Sequence, residues 1–256
     1  MVHELRRRLR GEAIMYLADL LLFPYGPRPQ PEVRSRALDV IGHLTAAGTK
    51  LVVIACNTAT AAALNTARER FDVPIVGVIA PGAQAAAAAT VSGRVAVVST
   101  EGTRASNEYV HALKEANPGI AVLGLAAPQL VDIVEAGDAD SSRAESALQP
   151  VVDQTLAFHA DTLVLGCTHY PLLMPALTRV VGSRPLQIVD SAATTAERVS
   201  RILAVNRLGA ARDADGTLEL QVTALPERFS ESVSRLFGEQ LDMPRTVRID
   251  TPLVAA

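Results

Sequence analysis

The chain's only two cysteines, Cys56 and Cys167, each close a short apolar run: LVVIACNTAT (Leu51 to Thr60) and TLVLGCTHYPLL (Thr162 to Leu173). Both runs read as apolar strand, thiol, small polar residues, then helix. That order puts a sulfur at the carboxyl end of a strand, where open α/β sheets bind their ligands. Behind Cys56, Asn57 and Thr58 offer side-chain caps for a helix starting near Ala59. Free N–H groups at such a helix start attract an anion and lower a thiol's pKa. Behind Cys167 stand Thr168 and His169, an imidazole that can hold or accept the thiol's proton. Two thiols on opposite sides of one carbon could take a proton from one face and return one to the other. Singly, either cysteine reads equally well as a buried structural residue. The repetition favours paired chemistry.

Other chemistries fit these residues less well. A low-molecular-weight phosphatase loop needs an arginine six residues after its cysteine, where this chain has Ala62 and Leu173. A papain-like site leaves the second cysteine unexplained. Cys56, Cys167 and His169 offer three metal ligands without a fourth at suitable spacing, so no metal is expected. Neither GxGxxG nor GxxxxGK[ST] occurs, which leaves nucleotide binding without support. A net charge of −3 argues against a nucleic-acid partner held through phosphates, and Arg6-Arg7-Arg8 with Arg10 reads as a solvated helix face. The cysteines stand 111 positions apart, in neither a CxxC pair nor a disulfide framework, so a reducing cytoplasmic setting is expected. The basic start is not followed by an apolar run and cleavage site, and LADLLLFPYG (Leu17 to Gly26) is too short to span a bilayer. No membrane partner is expected.

The elements that must hold the thiols are legible as apolar runs. Strands are predicted over 14–19, 51–56, 74–79, 94–100, 121–126, 162–167 and 186–191, with a weaker one over 218–223. Several are nearly continuous in apolar residues, as parallel strands buried on both faces are. Helices are predicted over Pro31 to Ala47, Ala59 to Arg70, Gly82 to Ala89 and Thr103 to Ala116, and from the second thiol run to just before Gly182. The alternation predicts an α/β fold of two similar parallel-sheet lobes, with the active site in the cleft between them. Residues 1–79 and 188–256 form the first lobe in this reading, and 80–187 the second.

ACNTA (Ala55 to Ala59), GCTHYPLL (Gly166 to Leu173) and FPYG (Phe23 to Gly26) resemble the glutamate racemases of the cofactor-independent aspartate/glutamate racemase superfamily. The similarity extends to APQLVDIVEAG (Ala127 to Gly137), SAATTAERV (Ser191 to Val199) and LPERFSESVSRLFG (Leu225 to Gly238). The resemblance implies an isomerase without cofactor, two pseudo-symmetric lobes, a homodimer and D-glutamate supply for peptidoglycan, hence cell-wall biogenesis and cell shape. It implies that Cys56 abstracts the proton of D-glutamate and Cys167 that of L-glutamate, with His169 assisting Cys167. It places Tyr25, Gly26, Asn57, Thr58, Thr168 and His169 on the substrate's carboxylate and ammonium groups, and matches Glu135 to an acidic residue near the second cysteine. An aspartate or broad-specificity racemase, or an inactive binding homologue, are the alternatives.

One departure stands out. Members of this family open on a strand ending in D-S-G-x-G-G, whose aspartate assists the first cysteine and whose serine touches substrate. This sequence opens at Met1-Val2-His3-Glu4-Leu5, and carries Leu20 and Leu21 after the matched Asp19. A longer gene with an upstream start, or a shortened form with impaired activity, are the two expectations that follow.

Overall fold

The computed structural model describes residues 1–211, 214–238, 240 and 242–249. The chain begins α1 (Val2–Arg8), β1 (Ile14–Ala18), α2 (Gln30–Ala46), β2 (Val52–Ile54), α3 (Asn57–Arg70), β3 (Ile75–Gly77) and α4 (Ile79–Ala89). It continues with β4 (Arg94–Ser99), α5 (Glu101–Ala105), α6 (Glu108–Ala116), β5 (Ala121–Ala126), α7 (Gln129–Glu135), α8 (Ser142–Ala157) and β6 (Thr162–Gly166). A 3₁₀ turn (Tyr170–Leu173) leads into α9 (Met174–Val181), followed by β7 (Gln187–Val189), α10 (Ser191–Val205), β8 (Leu218–Val222), α11 (Pro226–Phe237) and β9 (Arg245–Thr246).

All described strand pairings are parallel. The larger sheet has the order β5-β4-β6-β7 and carries Cys167 just beyond β6. Its apolar runs split by side-chain parity, as the two-residue period of a strand requires. Ala96, Val98, Leu163 and Leu165 pack under α7, α8 and α9, against Leu130, Leu148 and Leu177. Val95, Val97 and Val164 face the other way, against Ile79 and Ala83 of α4 and Leu113 of α6. Each fully buried Val, Leu or Ile side chain among them contributes roughly 1.5–3 kcal/mol.

The remaining strands form two small sheets, β1-β8-β9 and β2-β3, with no hydrogen-bonded pairing between them among the described residues. β2 and β3 are sandwiched in the same alternating way. Val52, Ile54 and Ile75 meet Val33, Ala37 and Ile41 of α2 and Ala63 of α3. Val53 and Val76 meet Leu5 of α1 and Val199 and Leu203 of α10.

Two expectations are corrected in detail. The helix predicted over Thr103 to Ala116 is two helices, α5 and α6, separated at Asn107, which adopts φ 57. Ser106 drives the break: its hydroxyl donates to the Thr103 carbonyl and accepts from the Glu108 N–H, in competition with helical bonding. The strands predicted over 51–56 and 74–79 shrink to three residues each, Val52–Ile54 and Ile75–Gly77, and α4 already begins at Ile79, within the second run.

Asp161 pins the entry to β6. Its carboxylate accepts from the Thr90 hydroxyl at 2.6 Å and from the N–H groups of Val91 at 2.8 Å and Ser92 at 2.6 Å. Desolvation alone would raise its pKa, but these bonds outweigh it and bring the carboxyl down to about 2. The folded value lies below the unfolded one of about 3.9, so the stabilisation is full above that pH and is lost as pH falls through the folded pKa. The gap in melting temperature between the native protein and Asp161→Asn should therefore be widest near neutral pH and close towards about pH 2. A gap that stays constant across that range contradicts the assignment.

Candidate active site

Cys56 is the N-cap residue of α3, two residues beyond the β2 end, and is partly exposed. Burial raises its pKa first, the N–H groups of Ala59 and Thr58 pull it down, and a charge on Cys167 pushes it up again. The two sulfurs therefore lie within electrostatic reach of each other, from separate sheets. Tyr16 and Tyr25 feel the same sulfur: burial comes first in raising each phenol's pKa, and a Cys56 thiolate adds to it.

The helix start expected near Ala59 falls at Asn57, so Asn57 and Thr58 are not caps. Both are buried, at 4% and 2% exposure, and their side chains reach across to the other half of the molecule. The Tyr109 hydroxyl donates to Asn57 Oδ1 at 2.8 Å, which turns the amide NH₂ away from Tyr109. Thr58 Oγ1 shares its proton network with Thr100 at 2.9 Å and Thr103 at 3.1 Å. Thr100 in turn is the side-chain cap of α5.

Cys167 is buried behind β6 and meets an ionic partner rather than hydroxyls. His169 Nδ1 lies 3.8 Å from its sulfur, and His169 Nε2 lies 3.0 Å from Glu135 Oε1 at the end of α7. Desolvation would lower the imidazole pKa, but the bonds and charges of Cys167 and Glu135 prevail and raise it to about 9. At neutral pH His169 is thus an imidazolium, donating from both nitrogens. The same bond holds the Glu135 carboxyl below its ordinary value, against its own desolvation. Thr168 is exposed beside the sulfur, with its hydroxyl 3.5 Å from His169 Nδ1.

The Phe23–Gly26 turn touches both halves. The Phe23 ring stands 5.9 Å from that of His169, and Tyr25 packs with Cys56 against the α2–α3 core. The Gly26 carbonyl accepts from Gly102 N–H at 3.2 Å. A Cβ on Gly26 would come within 3.1 Å of Thr100, so a side chain there would force the turn off α5. Behind Tyr25 lies Asp19, whose Oδ2 accepts from the Tyr25 hydroxyl at 2.6 Å and from Arg36 Nε at 2.8 Å.

Every site residue expected from the sequence is therefore placed around the two sulfurs or on elements that flank them. Sequence reasoning missed Tyr109, Thr100, Thr103 and Arg36. Thr100 carried a usable signal, a threonine closing a strand ahead of a helix. Tyr109 and Arg36 carried none, since their partners lie on distant segments.

Comparison with known proteins gives a consistent picture. The model of the Asp/Glu/hydantoin racemase family matches residues 1–199. A glutamate racemase of Saccharopolyspora erythraea is 40% identical over 234 residues, 91% of this chain and 86% of that protein. The crystal structure of a glutamate racemase isoform from Bacillus anthracis superposes with a TM-score of 0.90 at 33% identity, over 98% of this chain and 92% of that one. That of the Thermus thermophilus glutamate racemase in complex with β-chloro-D-alanine gives 0.84 at 32% identity, over 97% and 91%.

The His169 pKa is raised above the unfolded value, so the stability it contributes is complete below about 6.5 and is lost as pH rises through about 9. Glu135→Gln removes the neighbouring carboxylate and should move the imidazole titration, followed by ¹⁵N NMR, to lower pH. An unchanged titration would show that Glu135 does not hold the charge.

Proposed function

The chain belongs to the Asp/Glu/hydantoin racemase family, and we propose that it interconverts L- and D-glutamate by passing protons between Cys56 and Cys167. The enzyme is an isomerase, a racemase as its relatives are named, and in this reading it works without a cofactor. One observation carries the proposed site: two free thiols follow parallel strands of separate sheets, and one turn, Phe23–Gly26, packs by its Phe23 ring near His169 and by Tyr25 on the core that also holds Cys56.

Inversion at an α-carbon needs a base on one face and an acid on the other. With D-glutamate bound, the Cys56 thiolate takes the α-hydrogen as a proton and leaves the electron pair on the carbon. The Cys167 thiol then gives its proton to the opposite face, which yields L-glutamate. Cys56 ends as thiol and Cys167 as thiolate, the state from which L-glutamate is converted back. The His169 imidazolium, anchored by Glu135, stabilises the Cys167 thiolate, and the Ala59 and Thr58 N–H groups stabilise that of Cys56.

The carbanion forms beside a carboxylate, so that carboxylate must be held by hydrogen bonds in a site that excludes water. The N-terminus of α3 and the Asn57 amide suit that task. With Oδ1 occupied by Tyr109, and no described residue accepting from Nδ2, the amide presents donors to a ligand. Tyr25, Gly26, Thr168 and His169 complete the set of substrate contacts in this reading. The proposal extends to residues 1–79 and 188–256 as one lobe and 80–187 as the other, closing on glutamate. It places the enzyme in the cytoplasm as a homodimer supplying peptidoglycan synthesis, since two free thiols are retained in a reducing compartment. Among the described residues no helix is long and apolar enough to cross a membrane.

Incubation with each glutamate enantiomer in deuterated water tests the two-base arrangement. Cys56→Ala and Cys167→Ala should each lose racemisation by about 10²–10⁴-fold in both directions. Retention of near-native rates by either variant would remove that cysteine from the reaction.

A further inference from the structure

Each sulfur has a ring beside it, and behind each ring stands a carboxylate. At Cys167 the order is thiol, His169, Glu135. On the Cys56 side Tyr25 packs on the same α2–α3 core as the thiol, and its phenol donates to Asp19 Oδ2 at 2.6 Å. We propose that Asp19 is the positioning residue of the Cys56 half, acting through the Tyr25 hydroxyl to hold the Phe23–Gly26 turn against that sulfur. The proposal rests on the racemase reading and adds to it a residue that sets the geometry of one of the two bases.

The network around Asp19 is complete. Oδ2 accepts from Tyr25 and Arg36 Nε, while Oδ1 accepts from Arg36 Nη2 at 2.7 Å and the Thr223 hydroxyl at 2.7 Å. The Arg36 and Asp19 side chains are 2% and 7% exposed, so the ion pair is shielded from water and salt. Four donors from β1's neighbours α2, β8 and the turn meet on one carboxylate at the end of β1. A group so fully satisfied is a fixed point, and the phenol it holds cannot swing without breaking a charge-assisted bond. Tyr25 differs from His169 in kind. Burial and Asp19 both favour its neutral form, so it orients the turn and carries no proton in the reaction. The turn then transmits position to both sides, since Phe23 reaches the His169 ring and Gly26 is locked to α5.

A direction-dependent isotope effect separates positioning at Cys56 from general loss of structure. If Cys56 is displaced, removal of the α-hydrogen from D-glutamate becomes more rate-limiting. Return of a proton by Cys56 then limits the reverse reaction. The primary deuterium effect on [2-²H]-D-glutamate should rise and that on [2-²H]-L-glutamate fall, their ratio growing by about 1.5-fold or more in Tyr25→Phe. Asp19→Asn should give the same shift, and the double variant no further one, because both changes cut one path. Asp19→Asn also leaves the buried Arg36 guanidinium without its counter-charge and can fail to fold. Tyr25→Phe leaves that ion pair intact and decides the matter alone. A Tyr25→Phe ratio equal to the native one overturns the proposal, as does an additive double variant.

Alkylation distinguishes this failure from failure of the racemase reading itself. Native protein that exchanges neither enantiomer would sink the racemase reading. The positioning claim would then be read from iodoacetamide labelling followed by mass spectrometry. Cys56 in Tyr25→Phe should react about threefold faster than in the native chain, with Cys167 unchanged. Equal labelling of Cys56 in the two proteins would overturn it.

Discussion

Two sulfurs that sense each other resist ionising together, and the rest of the site is organised around that constraint. Burial and the charge of Cys167 push the Cys56 thiol up, while the Ala59 and Thr58 N–H groups pull it down. The net shift is upward, so the Cys56 thiol holds its proton more firmly than a free one. A two-base inversion needs a base on one face and a proton donor on the other. A Cys167 thiolate works against a second anion at Cys56.

The two halves meet this constraint by different means. Cys167 has a cation beside it at neutral pH, an imidazolium held by Glu135, whose carbonyl accepts from Arg235 Nη2 of α11 at 2.7 Å. Around Cys56 stand the N-terminus of α3 and, on the same α2–α3 core, the Tyr25 phenol. The ionic strength of that half is placed one layer back, in the Asp19–Arg36 pair. α11 spans the two halves, its Phe229 ring 5.9 Å from Tyr16 near Cys56 and its Arg235 on Glu135. The same amphipathic helix therefore braces both bases.

The site was more legible in the sequence than the frame that carries it. Apolar runs such as RVAVVST and TLVLGC announce β4 and β6 because both faces of the larger sheet are covered, and Cys167 follows β6 without a gap. The first half was less legible. Its strands divide between two small sheets, and β2 and β3 are only three residues long. Local reasoning failed most clearly at Asn57 and Thr58. Their composition suits capping, yet their side chains bond residues 52 and 42 positions away. Such long-range partners leave no local trace. α8 went unassigned, and Pro150 inside it breaks the pattern a reader would follow.

The central claim is geometric, and a crystal structure of the protein with D-glutamate bound tests it most directly. The account predicts the α-carbon between the two sulfurs, with Cys56 on the face that bears the hydrogen and Cys167 on the opposite face, each within about 4 Å. Glutamate bound with both sulfurs on one side of the α-carbon, or seated away from either, would contradict it.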